Sequence, residues 1–171
     1  MKRRIVTMLV ALVAFLAATE VRAVEDPFKK GSFLAGIQGG ILPGFGSTVY
    51  GDYVLADLGK GHFTVGGQIG INRRVPDSWA IFSSKTNTKL NMFSLTARAT
   101  YGLNLTPKFE LHGGALIGVG FIPQGYKFTP GLAWGGLLGL RWFFTDNLAL
   151  SFEPQYSNYG TCLNLGLTFR F

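Results

Sequence analysis

Apolar and polar side chains alternate along most of the chain after residue 32. In the last ten residues, Leu163, Leu165, Leu167, Phe169 and Phe171 share one face, and the residues between them are small or polar. This period of two is that of a β-strand with one apolar face. The pattern predicts eight strands, most of them about ten residues long, the length that a tilted strand needs to cross a bilayer. They cover residues 33–41, 49–55, 63–71, 93–103, 109–121, 132–144, 148–156 and 162–171.

The connections between the predicted strands fall into two alternating classes. Short turns are predicted at 58–61, 105–108 and 144–147, and the other connections at 43–46, 73–90, 122–130 and 158–161. The second class includes two longer loops, at 73–90 and 122–130. Short turns on one rim and longer loops on the other are typical of transmembrane barrels. An even number of strands also returns both chain ends to the rim with the short turns.

The apolar faces of the predicted strands carry Leu, Ile and Val in the middle and aromatic residues towards the ends. The aromatic residues of the turn side are Phe33, Tyr53, Phe63, Tyr101, Phe109, Trp142, Phe144, Phe169 and Phe171, and those of the loop side are Phe93, Phe121, Trp134 and Tyr156. Two aromatic girdles around an apolar band indicate a surface in contact with lipid, where a closed barrel pairs every backbone group. A soluble lipocalin-like barrel is the alternative, but its polar face would lie outside. The sequence predicts an all-β fold, a closed eight-stranded antiparallel up-and-down transmembrane β-barrel over residues 32–171.

The first 23 residues have the layout of a secretory signal peptide. Basic residues at 2–4 precede an apolar run at 5–18, and Ala23 is the small residue expected at a cleavage site. The run is shorter than the roughly 20 residues of a transmembrane helix. We expect cleavage after Ala23, with residues 24–31 as a short periplasmic lead-in. An uncleaved amphipathic or core helix is the alternative.

Composition supports export to a membrane more than nucleic-acid binding. Only 15% of the residues are charged, against about a quarter in soluble domains, and the hydrophobic content of 47% excludes a disordered chain. Cleavage would lower the formal net charge from +7 to +4, with 12 basic and eight acidic residues remaining. Most of these basic residues are spread singly, and three of the arginines are predicted to face the lumen, so we expect no nucleic-acid partner.

The signal peptide, the eight alternating segments and a final strand ending LGLTFRF at 165–171 resemble those of the small eight-stranded outer-membrane barrels of the OmpW, OmpX and OmpA transmembrane-domain types. The resemblance implies a multi-pass protein of the bacterial outer membrane, in contact with lipid and lipopolysaccharide. It also implies that Phe169 and the C-terminal Phe171 form an assembly signal for the barrel-assembly machinery.

Charged side chains are predicted to fill the half of the lumen near the short turns. Parity assigns to it the acids Asp52, Glu110 and Glu153 and the bases Arg98, Arg141 and Arg170. The lumen of an eight-stranded barrel is just wide enough for side chains, and buried charges persist only when they are paired. We therefore predict a balanced charge plug that blocks ion flow, with Arg141 opposite Ser151 and diagonal to Glu153.

Inward positions in the other half are mostly small or neutral, which indicates either an outward-open pocket or close packing of coiled strands at glycines. The pocket residues would be Gln38, Tyr50, Gln68, Leu116, Gly118 and Leu137. With a pocket, the resemblance to OmpW-type barrels implies passage of small, fairly apolar molecules. They would leave sideways where Pro123, Pro130 or Pro154 interrupts the strands. The alternative is an OmpX-like, non-conducting anchor or adhesin that presents surface loops.

Catalysis has little support in the sequence. The two histidines, His62 and His112, begin strands on the turn side, and the chain has no GxSxG motif. We expect no enzymatic activity, no cofactor and no metal site, and the single Cys162 excludes an intramolecular disulfide. The connection at 73–90 combines four basic residues with three large apolar ones. It is either an ordinary solvated loop or a contact for lipopolysaccharide phosphates or for a host or cell-surface partner.

Overall fold

The chain forms one closed antiparallel barrel. The computed structural model describes residues 28–42, 45–59, 61–73, 91–124, 127–158 and 160–171. The strands are β1 Phe33–Leu42, β2 Phe45–Asp57, β3 Gly61–Arg73, β4 Asn91–Thr106, β5 Phe109–Gln124, β6 Lys127–Phe143, β7 Leu148–Ser157 and β8 Gly160–Arg170. Each strand pairs with its neighbours in sequence, and β1 pairs with β8 to close the barrel. Within the described ranges, no helix is long and apolar enough to cross a membrane.

Tight connections join β2 to β3, β4 to β5 and β6 to β7 at one end of the barrel, which we call the turn rim; the opposite end is the loop rim. Side chains stabilise these turns through hydrogen bonds to the backbone of the turn. The hydroxyl of Thr106 accepts hydrogen bonds from the backbone N–H groups of Lys108 and Phe109 (3.2 and 3.1 Å). The carboxylate of Asp57 accepts one from the N–H of Gly59 (2.8 Å), whose φ of 83° suits glycine.

The eight predicted strands are confirmed, but the predicted long loop at 122–130 is wrong. β5 and β6 stay paired as far as Gln124 and Lys127, so this connection is a hairpin with only two residues between its strands. β6 pairs with β7 only up to Gly135 and Ser157. The β5–β6 hairpin therefore continues beyond the point where β7 ends.

Proline interrupts the wall of the barrel at one of the three predicted positions. The β5–β6 ladder continues through Pro123 and Pro130. The β6–β7 ladder passes from Leu137↔Gln155 directly to Leu140↔Phe152, skipping the rows at Pro154 and its neighbour Glu153. Proline has no N–H to donate, which explains the interruption.

The outer surface is an apolar band with aromatic residues at both ends. Mid-strand residues such as Ile69, Ile117 and Leu132 are 60%, 60% and 64% exposed. The girdle residues that are also exposed are Phe33, Tyr53, Tyr101, Phe109, Trp142, Phe144, Phe169 and Phe171 at the turn rim, and Phe93, Trp134 and Tyr156 at the loop rim. Side chains of this kind are stable on the outside only when lipid covers them. The predicted assignment of the faces is confirmed.

Glycines on the inner face allow the strands to coil tightly against one another. A Cβ at Gly118 would overlap the backbone carbonyl of Leu95, and a Cβ at Gly114 would overlap that of Ala99. A Cβ would likewise overlap a backbone carbonyl of the neighbouring strand at Gly66, Gly135 and Gly166. The missing Cβ atoms at these positions make room for backbone, so these glycines leave no open volume.

Candidate functional site: the filled lumen

Seven ionisable side chains meet inside the barrel in the half nearer the turn rim, and we call them the ion cluster. They are Asp52, His62, Arg98, Glu110, His112, Arg141 and Glu153, all at most 2% exposed. They come from six strands, β2 to β7. Alternation places each of them on the inner face, because their neighbours along each strand point outwards to lipid. The cluster therefore spans the lumen from wall to wall.

Arg98 is the centre of the cluster. Its Nη1 and Nη2 contact the two carboxylate oxygens of Glu153 at 3.5 and 3.0 Å, and its Nε lies 3.0 Å from Oδ1 of Asp52. The guanidinium carbon lies 4.1 Å from the centre of the Tyr50 ring. A bidentate ion pair and a cation–π contact are among the strongest interactions available to arginine. Arg98 therefore joins β2, β4 and β7 across the lumen.

Arg141 forms the second arm of the cluster. Its Nη1 donates to Oε1 of Glu110 at 2.7 Å, directly across the β5–β6 ladder. Its Nη2 lies 3.7 Å from Oδ2 of Asp52. Arg141 lies opposite Ser151 on β7 as predicted, but the diagonal pair with Glu153 is not the one that forms. Glu153 is engaged by Arg98, and Asp52 joins the two arginines.

The histidines complete the cluster around the carboxylates. His112 lies with Nε2 at 2.9 Å from Oε2 of Glu153 and with Nδ1 at 3.7 Å from Oε1 of Glu110. His62 has its Nε2 at 3.5 Å from the same oxygen of Glu110. Gly102 and Gly139 lie where a Cβ would collide with these two imidazole rings. The glycines thus open the space that the rings occupy.

Arg170 does not join the cluster, contrary to the sequence-based prediction. Its guanidinium donates to the backbone carbonyl of Asp146 and lies 5.2 Å from the ring centres of both Phe28 and Phe143. Arg170 is the last residue of β8, at the turn rim and below the acids. The cluster therefore contains three carboxylates, two arginines and two histidines.

A pair of amides covers the ion cluster on the side of the loop rim. Nε2 of Gln68 donates to Oε1 of Gln155 (3.0 Å), and Nε2 of Gln155 donates back to Oε1 of Gln68 (3.2 Å). Gln68 also accepts from Arg98 (3.0 Å), and Gln155 donates to Glu153 (2.6 Å). The two glutamines come from β3 and β7, so this amide bar crosses the lumen.

In the described part of the lumen, the six predicted pocket residues have different surroundings, and two of them line one small cavity. Gln38 donates to Ser151 (3.3 Å), and the hydroxyl of Tyr50 bonds to that of Thr168 (2.6 Å). Leu137 is buried, and the inner side of Gly118 meets backbone. The remaining two, Gln68 and Leu116, do line a shared cavity.

That cavity lies on the loop-rim side of the amide bar. It is lined by Gln68, Ser94, Thr96, Leu116, Ala133, Trp134, Gln155 and Ser157 and holds about 20 Å³. One water molecule needs roughly 10–15 Å³ on the same measure. The cavity therefore has the size of a hydration site, with a mostly polar lining.

Several other predicted features lie apart from the cluster. Phe169 and Phe171 are exposed, and Phe171 pairs with Phe33 through both backbone hydrogen bonds (2.8 and 3.1 Å); their role in assembly stays a prediction. Cys162 is a buried free thiol. In the part of the chain that the structure describes, no three His, Cys, Asp or Glu residues are grouped to hold a metal ion. The predicted signal peptide at 1–23 and the connection at 74–90 lie outside the described residues.

One lumen residue was missed altogether by the sequence analysis. Phe28 precedes the first strand, yet it is fully buried against His62 and Phe143. No alternation includes it, because the residues around it do not form a strand. An isolated aromatic beside two lysines, Lys29 and Lys30, was the only available indication in the sequence.

Comparison with known proteins shows the fold. No protein-family model and no curated protein sequence matches the chain. Among solved structures, the chain is similar to a de novo designed transmembrane β-barrel, with 17% identity and a TM-score of 0.55 over 86% of this chain and 100% of that one. It is also similar to Neisserial surface protein A, with 17% identity and a TM-score of 0.51 over 82% and 94% of the two chains.

A third similar structure is the Yersinia pestis outer membrane protein Ail in a phospholipid bilayer nanodisc. Its identity is 16% and its TM-score 0.51, over 84% of this chain and 100% of that one. At these identities the likeness is one of fold. The predicted eight-stranded transmembrane barrel is confirmed, as is the resemblance to the small outer-membrane barrels. Two of the three similar structures are bacterial outer-membrane or surface proteins, in agreement with the predicted location.

Proposed function

We propose that this protein is a sealed, non-conducting outer-membrane anchor that presents its loop-rim connections at the cell surface. The observation that carries the proposal is the filled lumen: the ion cluster and the amide bar cross it in succession, and the cavity above them holds about 20 Å³. A lumen packed in this way leaves the surface of the loop rim as the part of the barrel that can contact other molecules.

Opening a path through the cluster would be costly. Arg98 alone has ion pairs with Asp52 and Glu153, and all three side chains are essentially unexposed. Removing one partner of a buried ion pair costs about 3–5 kcal/mol, because the other charge is left without its counterion. Separating the pair inside the lumen would leave both charges in that state. Thermal fluctuation would therefore rarely open the lumen, which supports a structural role for the barrel.

The connection between β3 and β4 is the candidate for presentation, and this part of the proposal rests on its sequence. Arg73, Arg74, Lys85 and Lys89 outnumber the single Asp77. Lysine and arginine beside a membrane attract phosphate groups. We propose that this connection binds the phosphates of lipopolysaccharide around the barrel, and that Trp79 and Phe82 add apolar contact.

Passage of small apolar molecules is the second candidate, and one observation favours it. The β6–β7 ladder is interrupted beside Pro154, and Gln155, the next residue, lines the small cavity at the loop rim. A molecule entering from the loop rim could leave sideways through the interruption after displacing the amide bar. This route would avoid the ion cluster.

Replacing residues 75–88 with a short Gly-Ser linker separates the two candidates. We expect lipopolysaccharide in the liposome to raise the urea midpoint of the wild-type barrel, since a ligand that binds only the folded state stabilises it. The linker variant should lose this increase. Neither protein should speed the uptake of a small fluorescent apolar probe into proteoliposomes.

A second variant changes charge alone: Arg74, Lys85 and Lys89 are replaced by glutamine. In this variant lipopolysaccharide should raise the urea midpoint much less than in the wild type. An equal increase in all three proteins would reject the lipopolysaccharide contact. Probe uptake well above that of protein-free liposomes, in wild type and linker variant alike, would reject the sealed anchor and favour lateral passage.

A further inference from the structure

The chain before β1 enters the lumen at the turn rim. Phe28 is 0% exposed although it belongs to no strand. Its ring centre lies 4.1 Å from that of His62 and 5.5 Å from that of Phe143, the latter nearly edge-on. The neighbouring Lys29 and Lys30 are exposed. The aromatic ring therefore points into the barrel while the backbone beside it stays at the surface.

Phe28 occupies an apolar socket built from both ends of the chain. Leu34 of β1, Val54 of β2, Phe143 of β6 and Ala149 of β7 form one buried cluster with it. These side chains give the ring an apolar surrounding, and His62 contacts both the ring and Glu110. The socket thus lies between the turn rim and the ion cluster.

A short strap holds the ring in this socket. The strap is residues 28–32. Ser32 donates its N–H to the carbonyl of Lys29 (3.0 Å), and Gly31 donates to the carbonyl of Val54 (3.0 Å). Gly31 has a φ of 99°, a left-handed conformation that only glycine adopts without strain. The turn at Gly31 is what folds Phe28 back beneath the barrel.

Arg170 secures the ring from the side of the turn rim. Its guanidinium lies 5.2 Å from the centre of Phe28 and is itself held by the carbonyl of Asp146. This contact explains why Arg170 stands apart from the ion cluster. A cation over an aromatic face is attracted to it, so β8 and the β6–β7 turn together hold the strap in place.

We propose that the strap is a stopper, in which Phe28 seals the turn-rim mouth of the lumen and keeps water from the apolar socket and the ion cluster behind it. The socket residues are apolar and buried, and the strap lies between them and the solvent at the rim. The strap is fixed by one ring and a few hydrogen bonds, whereas the strands are fixed by continuous ladders. Segments with so few contacts open more readily than the structure around them.

The stopper is tested by the reactivity of a thiol placed in the socket. Val54→Cys, in a Cys162→Ala background, is refolded into lipid nanodiscs and exposed to a membrane-impermeant maleimide. With Phe28 present, the thiol should react slowly. In the added Phe28→Ala variant it should react at least ten times faster, and Phe28→Leu should stay close to the slow rate.

Phe33→Ala is the matched control, since Phe33 is an aromatic residue of the same rim that faces lipid and is 43% exposed. It should leave the rate of labelling unchanged. If Phe28→Ala does not fold, Phe28→Val takes its place and should react faster than both the Phe28 protein and the Phe28→Leu variant. Equal rates with and without the ring, or rapid labelling with Phe28 in place, would overturn the stopper. Either result would leave the sealed anchor standing, because the ion cluster closes the lumen separately.

Discussion

Replacing Arg98 with methionine should lower the free energy of unfolding by about 3–5 kcal/mol, the cost of removing one partner from a buried ion pair. Methionine keeps much of the length of the side chain, so the lost charge accounts for most of the effect. Asp52 would keep only the 3.7 Å contact with Arg141. Glu153 would keep His112 at 2.9 Å and Gln155 at 2.6 Å.

Urea unfolding in liposomes, followed by tryptophan fluorescence, measures the effect. Lys108→Met is the control, because Lys108 is exposed in a turn and its substitution should leave stability unchanged. Adding Glu153→Gln to Arg98→Met should restore part of the lost free energy of unfolding, since it removes one of the two carboxylates that lose Arg98 as a partner. Equal stability of the Arg98 and Lys108 variants would show that the cluster does not hold the strands together.

Gly118→Ala should destabilise the barrel by about 1–3 kcal/mol, the usual cost of forcing extra atoms into a packed site. The new Cβ would overlap the carbonyl of Leu95 and crowd Cα of Thr96. Because these are backbone atoms, β4 and β5 would have to separate. Side-chain rotation cannot relieve such a collision.

Gly67→Ala is the control, because Gly67 lies on β3, which pairs with β4 on the side opposite to β5 and Gly118. A Cβ there faces lipid and comes no closer than 3.9 Å to any neighbouring atom, the carbonyl oxygen of Thr96. We expect this variant to be as stable as the wild type or slightly more so, because alanine reduces the freedom of the unfolded chain. If Gly118→Ala were equally harmless, the inner glycines would border open space, as a pocket requires.

Alternation was sufficient to predict which side chains face inwards. Gln38, Asp52, Arg98 and Glu153 were assigned to the lumen by parity, and each is buried there. Successive side chains of a strand point to opposite faces. In a strand between lipid and lumen, apolar and polar side chains must therefore alternate. The strand count and the closed fold followed from the same pattern, together with the length of each segment.

Parity could not predict which inward side chains meet. A closed barrel tilts and staggers its strands, so the height of a residue along the axis depends on the whole set of registers. Glu153 of β7 therefore pairs with Arg98 of β4, three strands earlier in the chain, and not with Arg141 of the adjacent β6. Arg170 lies below the acids. Parity also could not show that the space on the inner side of Gly118 is occupied by the backbone of Leu95 and Thr96.

The alternating pattern also could not predict the burial of residues that lie outside the strands. Phe28 is buried by a turn at Gly31 and by side chains from β1, β2, β6 and β7. No feature within the strap specifies this socket. The length of the β5–β6 hairpin was underestimated because two prolines and a glycine, which usually mark loops, lie at 123, 125 and 130.

Ion conductance across a planar lipid bilayer tests the sealed lumen most directly. With the purified wild-type protein inserted, a sealed lumen predicts a current no higher than that of the bare bilayer and no discrete opening steps. Insertion is verified independently, by protease protection of the same sample in liposomes. A stable current that rises in steps with each inserted wild-type barrel would show that the lumen is open.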